Sequence, residues 1–386
     1  MKVVNELTSR GVTNVIPDPK KLEDLLSSGK KLNVYLGIDP TATRLHLGNA
    51  VPLRKLQQFV EAGHNVTFLI GDFTALVGDT SDKDSERPIL SPKEIGENFK
   101  TYKNQAEKIL DFSKVSLRFN SEWLGKLTLA ETIRLMQQFS LGDFISRELI
   151  KKRLAEGKKV RFDENLYPVM QGYDSFMLDT DIQIGGADQT FNMQAGRTLL
   201  KNLKHKESFV LVTGYIEGTD GRKMSKSWGN AIWLEDEPGD MFGKAMSIKD
   251  NLIINYFTLA TNWPEEEIQK RRVLLDKGEN PMRIKLELAH QIVSELHNKK
   301  AADEAKKDFE KTFRKGEPEY SQQIEAKGAL AGTISSFTSL ASISDAKRLI
   351  RQGGVDVNGK TVNDPNLKVK SGDEIKVGKK TFLKVK

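Results

Sequence analysis

A chain of 386 residues exceeds one ordinary compact domain and is long enough to bury sizeable cores, so two or three domains are expected. The absence of cysteine excludes disulfides and thiolate metal sites, and five scattered histidines argue against a structural zinc. No run has the length and apolarity of a membrane span, nor the N-terminus those of a signal peptide, so a soluble cytoplasmic protein is expected. The formal charge of +7 is unevenly held: residues 328–386 contain 11 Lys+Arg against 5 Asp+Glu, leaving the rest of the chain close to neutral. A small basic module on a near-neutral body suggests a polyanionic partner, with a solubilising lysine-rich tail as the alternative.

In chain order, KLNVYLGID and NVTFLIGDF read as buried strands, short, apolar and bounded by turn residues. Between them LGNAVPLRKLQQFVEAG has helical spacing in Leu53, Leu56, Phe59 and Val60, with Gly63 as its stop. Strand, helix, strand is a βαβ unit and implies a parallel sheet. A polar segment, GDTSDKDSERPILSP, precedes a helical pattern from about Lys93 to Leu110, a strand in KVSLRFNSEW, and a mostly helical stretch through about residue 157. LYPVMQGYDSFMLDTDIQIGGADQTFNMQAGRTLLKNL reads as helix, strand, glycine turn and helix, and FVLVTGYI as a strand leading into the basic loop EGTDGRKMSKSWGN. From Pro238 to about Phe313 amphipathic helices replace strands. RKGEPEYSQQIEAKG reads as a linker, and the tail as a helix followed by short strands joined at Asn-Gly, Ser-Gly and Val-Gly-Lys turns. The expected boundaries are a catalytic α/β domain over 1–235, with a connective insertion at about 111–165, a helical domain over 236–315, a linker over 316–328 and a tail domain over 329–386.

Three groups of residues carry chemistry. His46-Leu47-Gly48-Asn49 stands where a strand feeds a helix, and the free N–H groups and dipole of that helix start favour a phosphate. Its bland alternative is a Gly-Asn turn with an incidental histidine. Lys223 and Lys226, three apart between Gly221 and Gly229, can present two ammonium groups to a polyphosphate, or form an ordinary solvated loop. Tyr167, Gln171 and Asp174 fall at i, i+4 and i+7, so one helix face carries all three, either toward a ligand or toward water.

The strings HLGN and KMSKS together resemble the two signature motifs of class I aminoacyl-tRNA synthetases, in the order and spacing of the compact tyrosyl and tryptophanyl branch. The likeness extends over the chain, since a helical domain and a basic tail follow the catalytic half. It implies a Rossmann-like parallel-sheet α/β catalytic domain, then an α-helical anticodon-binding domain and a small α+β S-four-type RNA-binding domain. It also implies ATP as substrate with Mg²⁺, no organic prosthetic group, no metal site of the protein's own, tRNA(Tyr) as partner and a homodimer. In that family the residue matching Asp174 accepts the phenol proton of tyrosine, joined by the one matching Tyr35. Those matching Tyr167, Gln171 and Asp79 hold the amino group, and Thr74, Gln183 and Gln189 complete the tyrosine pocket. Gly37, Asp39, Gly48, Asn49, Gly186 and Asp188 fall to the ATP site, with Asp188 on the ribose. Thr41, His46, Lys223 and Lys226 face the phosphates, and Lys83 and Arg87 match a basic loop that clasps pyrophosphate. In the tail, SISDAKRLIRQGGVDVNGK carries the S-four-type likeness, with Lys347, Arg348 and Arg351 on RNA. One departure stands out: the family motif usually ends in a second histidine where this chain has Asn49.

The presence of both Tyr35 and Asp174 argues for tyrosine over tryptophan as the amino acid. A small-molecule nucleotidyltransferase explains the first motif but leaves the basic loop, helical domain and tail unused. A catalytically silent RNA-binding paralogue predicts loss of the motif lysines or acids, and none is lost.

Overall fold

The computed structural model describes residues 2–79, 90–225, 228–314, 322–336, 342–378 and 381–386. Six strands of the first half form one sheet: β1 (Val12–Ile16), β2 (Asn33–Ile38), β3 (Asn65–Ile70), β4 (Val115–Phe119), β5 (Ile182–Gly186) and β6 (Phe209–Thr213). Their spatial order is β1-β6-β5-β2-β3-β4. The strands from β6 to β4 are mutually parallel, and β1 runs antiparallel along β6 at the edge. The central strands are mostly apolar because helices cover both faces, burying Phe68, Ile70, Ile184, Val210 and Leu211. Strand β1 is not among the expected elements. Of its five residues only Val15 is fully buried, so it shows neither alternation nor an apolar run, and its pairing with β6 makes it a strand.

Helix Leu47–Glu61 joins β2 to β3 and buries the face carrying Leu47, Ala50, Val51, Leu53, Leu56, Phe59 and Val60. Gly63 follows it at φ +83°, the left-handed conformation that ends a helix. The chain moves outward from β2 through β3 to β4, then returns on the other side of β2 as β5. That reversal is where an open parallel sheet opens a crevice at its carboxyl edge. The returning segment contains four short helices, Ser121–Leu124, Leu129–Met136, Leu141–Ile145 and Glu148–Ala155, then helix Tyr167–Met177, which packs against helix Thr190–Lys204. Their crossing requires Gly196, whose Cβ, were there one, would lie 2.4 Å from Ser175 Oγ and 2.6 Å from Gln183 Nε2.

By its contacts the chain separates into two units, Met1–Glu237 with Lys244–Asn298, and Pro238–Gly243 with Lys299–Lys386. Within the first, Arg54 of the helix after β2 meets Glu295 at 2.6 Å and Asn262 Oδ1 at 2.9 Å, binding the later helices Ile253–Ala260 and Pro281–Leu296 to the sheet domain.

The second unit contains a five-stranded sheet of β7 (Gln322–Ile324), β8 (Val355–Val357), β9 (Lys360–Thr361), β10 (Glu374–Val377) and β11 (Thr381–Val385), in the order β7-β11-β10-β8-β9. The stretch read as a linker thus contributes a strand: β7 runs parallel to β11, and three residues are too few to show a period in the sequence. Ile324, Leu330, Ile334, Ala346, Ile350, Ile375 and Leu383 share its core. The expected Asn-Gly turn joins β8 to β9, with Asn358 and Gly359 both at positive φ. On helix Ile343–Arg351, Ala346 and Ile350 face the core, while Lys347, Arg348 and Arg351 stand exposed. No helix among the described residues is long and apolar enough to cross a membrane.

Candidate active site

At the carboxyl ends of β2 and β5 lies a cleft of about 990 Å³. It gathers Tyr35, Gly37, Asp39, Thr41, His46, Gly48, Asn49, Thr74, Asp79, Tyr167, Gln171, Asp174, Gln183, Gly186, Asp188, Gln189 and Lys223. Lys83, Arg87 and Lys226, also expected here, lie outside the described residues.

The floor of the cleft is a closed hydrogen-bond network. Asp174 is 3 % exposed, and its carboxylate accepts from Trp123 Nε1 at 2.7 Å and Asn120 Nδ2 at 3.2 Å. Asn120 also donates to Thr74 Oγ1 (3.0 Å), Thr74 donates to Asp39 Oδ1 (2.8 Å), and Tyr167 Oη donates to Asp39 Oδ2 (2.9 Å). Burial, the largest influence, raises the Asp174 pKa to about 8 against the opposing pull of its two donors. Tyr35 follows from sheet register: it pairs with Gln183 across β2 and β5, donates to Gln183 Oε1 at 3.1 Å, and shares a 2.8 Å hydrogen bond with Ser175 Oγ. Its hydroxyl is therefore engaged with Ser175 and Gln183 rather than with Asp174. Burial first, and then the charge of Asp174, push its pKa up, so it is a neutral donor at any working pH.

Beside the floor, Asp79 is buried and accepts from Gln189 Nε2 at 2.5 Å, while Gln171 faces the cleft from the same helix as Tyr167 and Asp174. Burial first, then Asp39 and Asp79, raise the Tyr167 pKa, which keeps that phenol a donor as well. Gly71 makes the approach of Asp39 feasible: a Cβ there would lie 2.0 Å from Asp39 Oδ1. Gly186 does the same for Asp188, whose Oδ1 would be 2.6 Å from its Cβ.

The mouth is built differently. His46 precedes the first turn of helix Leu47–Glu61, and its backbone N–H donates to the side-chain oxygen of Asn49 at 3.1 Å. Asn49 is thus a capping residue that satisfies an N–H left over at the helix start. Burial first, then the nearby charge of Lys223, lower the His46 pKa to about 4, so the imidazole is neutral at pH 7. Lys223 is exposed, on a loop closed by Asn230: Asn230 Oδ1 accepts from the Ser225 N–H (2.9 Å), and Nδ2 donates to Asp220 Oδ1 (2.8 Å) and the Lys223 carbonyl (3.2 Å). No group of three or more His, Asp or Glu among the described residues is placed to hold a metal ion.

Sequence reasoning missed Asn120, Trp123, Ser175 and Asn230. Asn230 could have been found, because a second polar residue closing a glycine-flanked loop is a recurrent turn signal. Ser175 could have been found too, since it stands eight residues after Tyr167 and four after Gln171 on the same helix face; Asn120 and Trp123 carry no periodic signature toward the cleft.

The family model for class I tRNA synthetases (W and Y) matches residues 27–314, and that for the S4 domain matches residues 338–375. The tyrosine–tRNA ligase of Carboxydothermus hydrogenoformans is 44% identical, covering 98% of this chain and 97% of its own length. That of Thermotoga maritima is 40% identical, covering 98% and 96%. Among solved structures, a C-terminally truncated mitochondrial tyrosyl-tRNA synthetase of Aspergillus nidulans superposes with a TM-score of 0.68 at 24% identity, over 81% of this chain and 94% of that one. The tyrosyl-tRNA synthetase of Archaeoglobus fulgidus complexed with L-tyrosine gives 0.62 at 21%, over 79% and 99%. These last two share the α/β fold of the sheet domain described above. The cleft at the switch point of the sheet, His46 and Lys223 of the two signature strings at its mouth and full-length similarity at this level place the chain in the family of class I tRNA synthetases for tyrosine and tryptophan.

Proposed function

We propose that this chain activates L-tyrosine with ATP and transfers the tyrosyl group to the 3′ end of tRNA(Tyr). The observation that carries the choice of tyrosine is the buried polar floor: Asp174, held by Trp123 and Asn120, beside Tyr35, held by Ser175 and Gln183. A phenol hydroxyl entering there finds partners for both its proton and its lone pairs. A phenyl ring desolvates the acceptor capacity that these bonds leave on Asp174 and returns nothing, which is the origin of discrimination against phenylalanine; tyrosyl-tRNA synthetase is itself the standard worked example of this effect.

In the first step a carboxylate oxygen of tyrosine attacks the α-phosphorus of ATP. The bond to the bridging oxygen breaks and pyrophosphate leaves. Tyr167, Gln171 and Asp79 hold the amino group, so the carboxylate points at the α-phosphorus, and Asp188 accepts from the ribose hydroxyls. His46 as a neutral donor, Thr41, Lys223 and Lys226 meet the charge that builds on the β- and γ-phosphates, with Lys83 and Arg87 on the departing pyrophosphate. Mg²⁺ bound to the ATP substrate would supply further positive charge at the phosphates, with no protein ligand set assigned to it. In the second step a ribose hydroxyl of the tRNA terminal adenosine attacks the tyrosyl carbonyl and AMP leaves.

Lys347, Arg348 and Arg351 contact RNA phosphates, giving affinity with little base information. The active species is a cytoplasmic homodimer. Segment 129–162 supports that reading, since it exposes Leu129 (76 %), Leu141 (65 %) and Phe162 (73 %), with Ile133 and Ile145 nearby in sequence. Tyrosine-dependent exchange of pyrophosphate into ATP tests the reading: exchange with tyrosine, and none with tryptophan or phenylalanine, is expected. Exchange driven by tryptophan, or none from folded protein, contradicts it.

A further inference from the structure

Arg44 lies two residues before His46 and has no part in the chemistry above. Its guanidinium sits 4.6 Å over the ring of Trp233, with Nη2 3.4 Å from Asp236 Oδ1 and Nε 3.8 Å from Glu235 Oε2. The same indole meets the His46 imidazole, ring centres 5.7 Å apart and inclined by 58°. The backbone repeats this pairing. The Leu47 N–H donates to the Ile232 carbonyl and the Leu234 N–H to the Leu45 carbonyl, each at 2.9 Å. A short antiparallel ladder therefore joins the start of the phosphate-facing helix to the chain leaving the basic loop. Buried Asp236 anchors it, accepting also from the Trp233 N–H (2.8 Å) and Lys244 Nζ (2.6 Å).

The Nδ1 atom of His46 is buried and has no hydrogen-bond partner among the described residues. A hydrogen bond at Nδ1 is the usual way a functional imidazole is held in orientation. Here packing against Trp233 takes that part. We propose that Arg44 is a positioning residue for nucleotide activation: it clamps Trp233 against His46, fixing the imidazole and lashing the outgoing leg of the basic loop to the same point. This rests on the reading of the cleft as an ATP site. Asp236 and Glu235 already balance the Arg44 charge, so its flat face on the indole, rather than its charge on a phosphate, is what the arrangement uses.

Steady-state pyrophosphate exchange with the full chain tests this, varying ATP and tyrosine separately. Arg44→Ala raises KM for ATP by about fivefold to tenfold, with KM for tyrosine changed by less than about twofold. Arg44→Lys keeps the charge, loses the plane and fails to restore the wild-type value. Arg44→Ala combined with Trp233→Leu is no worse than the poorer single variant, because both break one clamp. An independent readout is the NMR titration of the His46 ring in the wild type and Arg44→Ala, where release of the clamp admits water and moves its midpoint up from about 4 toward 6.5. Full rescue by lysine, multiplying effects in the double variant, equal rises in both KM values, or an unmoved His46 titration each overturn the proposal. Wild-type exchange is the control for the ATP reading itself: its absence counts against that reading, while the His46 titration still decides the clamp.

Discussion

The two ends of the cleft solve opposite problems. At the floor the polar groups are buried or half-buried and already partnered: Asp174 by an indole and an amide, Tyr35 by a serine and a glutamine, Asp39 by a threonine and a tyrosine. At the mouth the groups are an exposed lysine, a neutral histidine and a capped helix start, on loops rather than on strands. A floor of this kind cannot rearrange without leaving a polar atom unpaired, so it can refuse a substrate. The mouth must meet a charge that grows during reaction and then let pyrophosphate go, which suits mobile cations on a short tether. Selectivity and rate are thereby assigned to different parts of one cavity.

That division can be broken in order of effect. Lys223→Ala should lower kcat for exchange by roughly 100-fold while leaving KM for tyrosine nearly unchanged. A comparable loss of tyrosine affinity would mean that the two ends are not separable. Tyr35→Phe should cost about tenfold in kcat/KM for tyrosine, since Ser175 and Gln183 lose a partner, and leave KM for ATP alone. Asn49→Ala should raise KM for ATP about fivefold, the effect of an uncapped His46 N–H at a helix start. If Asn49→His is indistinguishable from the wild type in both turnover and ATP dependence, capping is all that this position supplies.

The smallest effect is on stability. Folding raises the Asp174 pKa from 3.8 to about 8, so the folded chain favours the protonated carboxyl. That contribution is complete below about pH 4 and is lost as pH climbs through 8. Asp174→Asn, which cannot ionise, should therefore melt higher than the wild type at pH 8.5, by on the order of 1–2 kcal/mol, with the gain shrinking toward pH 5. An equal gain at both pH values would show that Asp174 is not the group taking up the proton.

How much of this could be read beforehand varied with the kind of signal. The helical period put Tyr167, Gln171 and Asp174 on one face, and the structure carries them into one cleft. The strings around His46 and Lys223 were legible because helix starts and glycine-flanked loops have local chemistry. Trp123 and Asn120 were not legible: they lie 51 and 54 residues from Asp174, and only the strand order β2-β3-β4 brings them beneath it. The capping role of Asn49 was not legible for a different reason. Its oxygen turns back onto the backbone of His46, an interaction within three residues that a comparison of motif letters does not reveal. Gly71 and Gly196 are needed for the close approach of side chains from other elements, which no local pattern encodes.

The central claim is that a buried, pre-partnered floor selects the phenol hydroxyl. The most direct measurement is the ratio of kcat/KM for tyrosine over phenylalanine in pyrophosphate exchange, in the wild type and in Asp174→Asn. The account predicts strong preference for tyrosine in the wild type, and in Asp174→Asn a fall in that ratio of about 100-fold or more that comes from the loss of tyrosine activity. A ratio left intact by Asp174→Asn would contradict it.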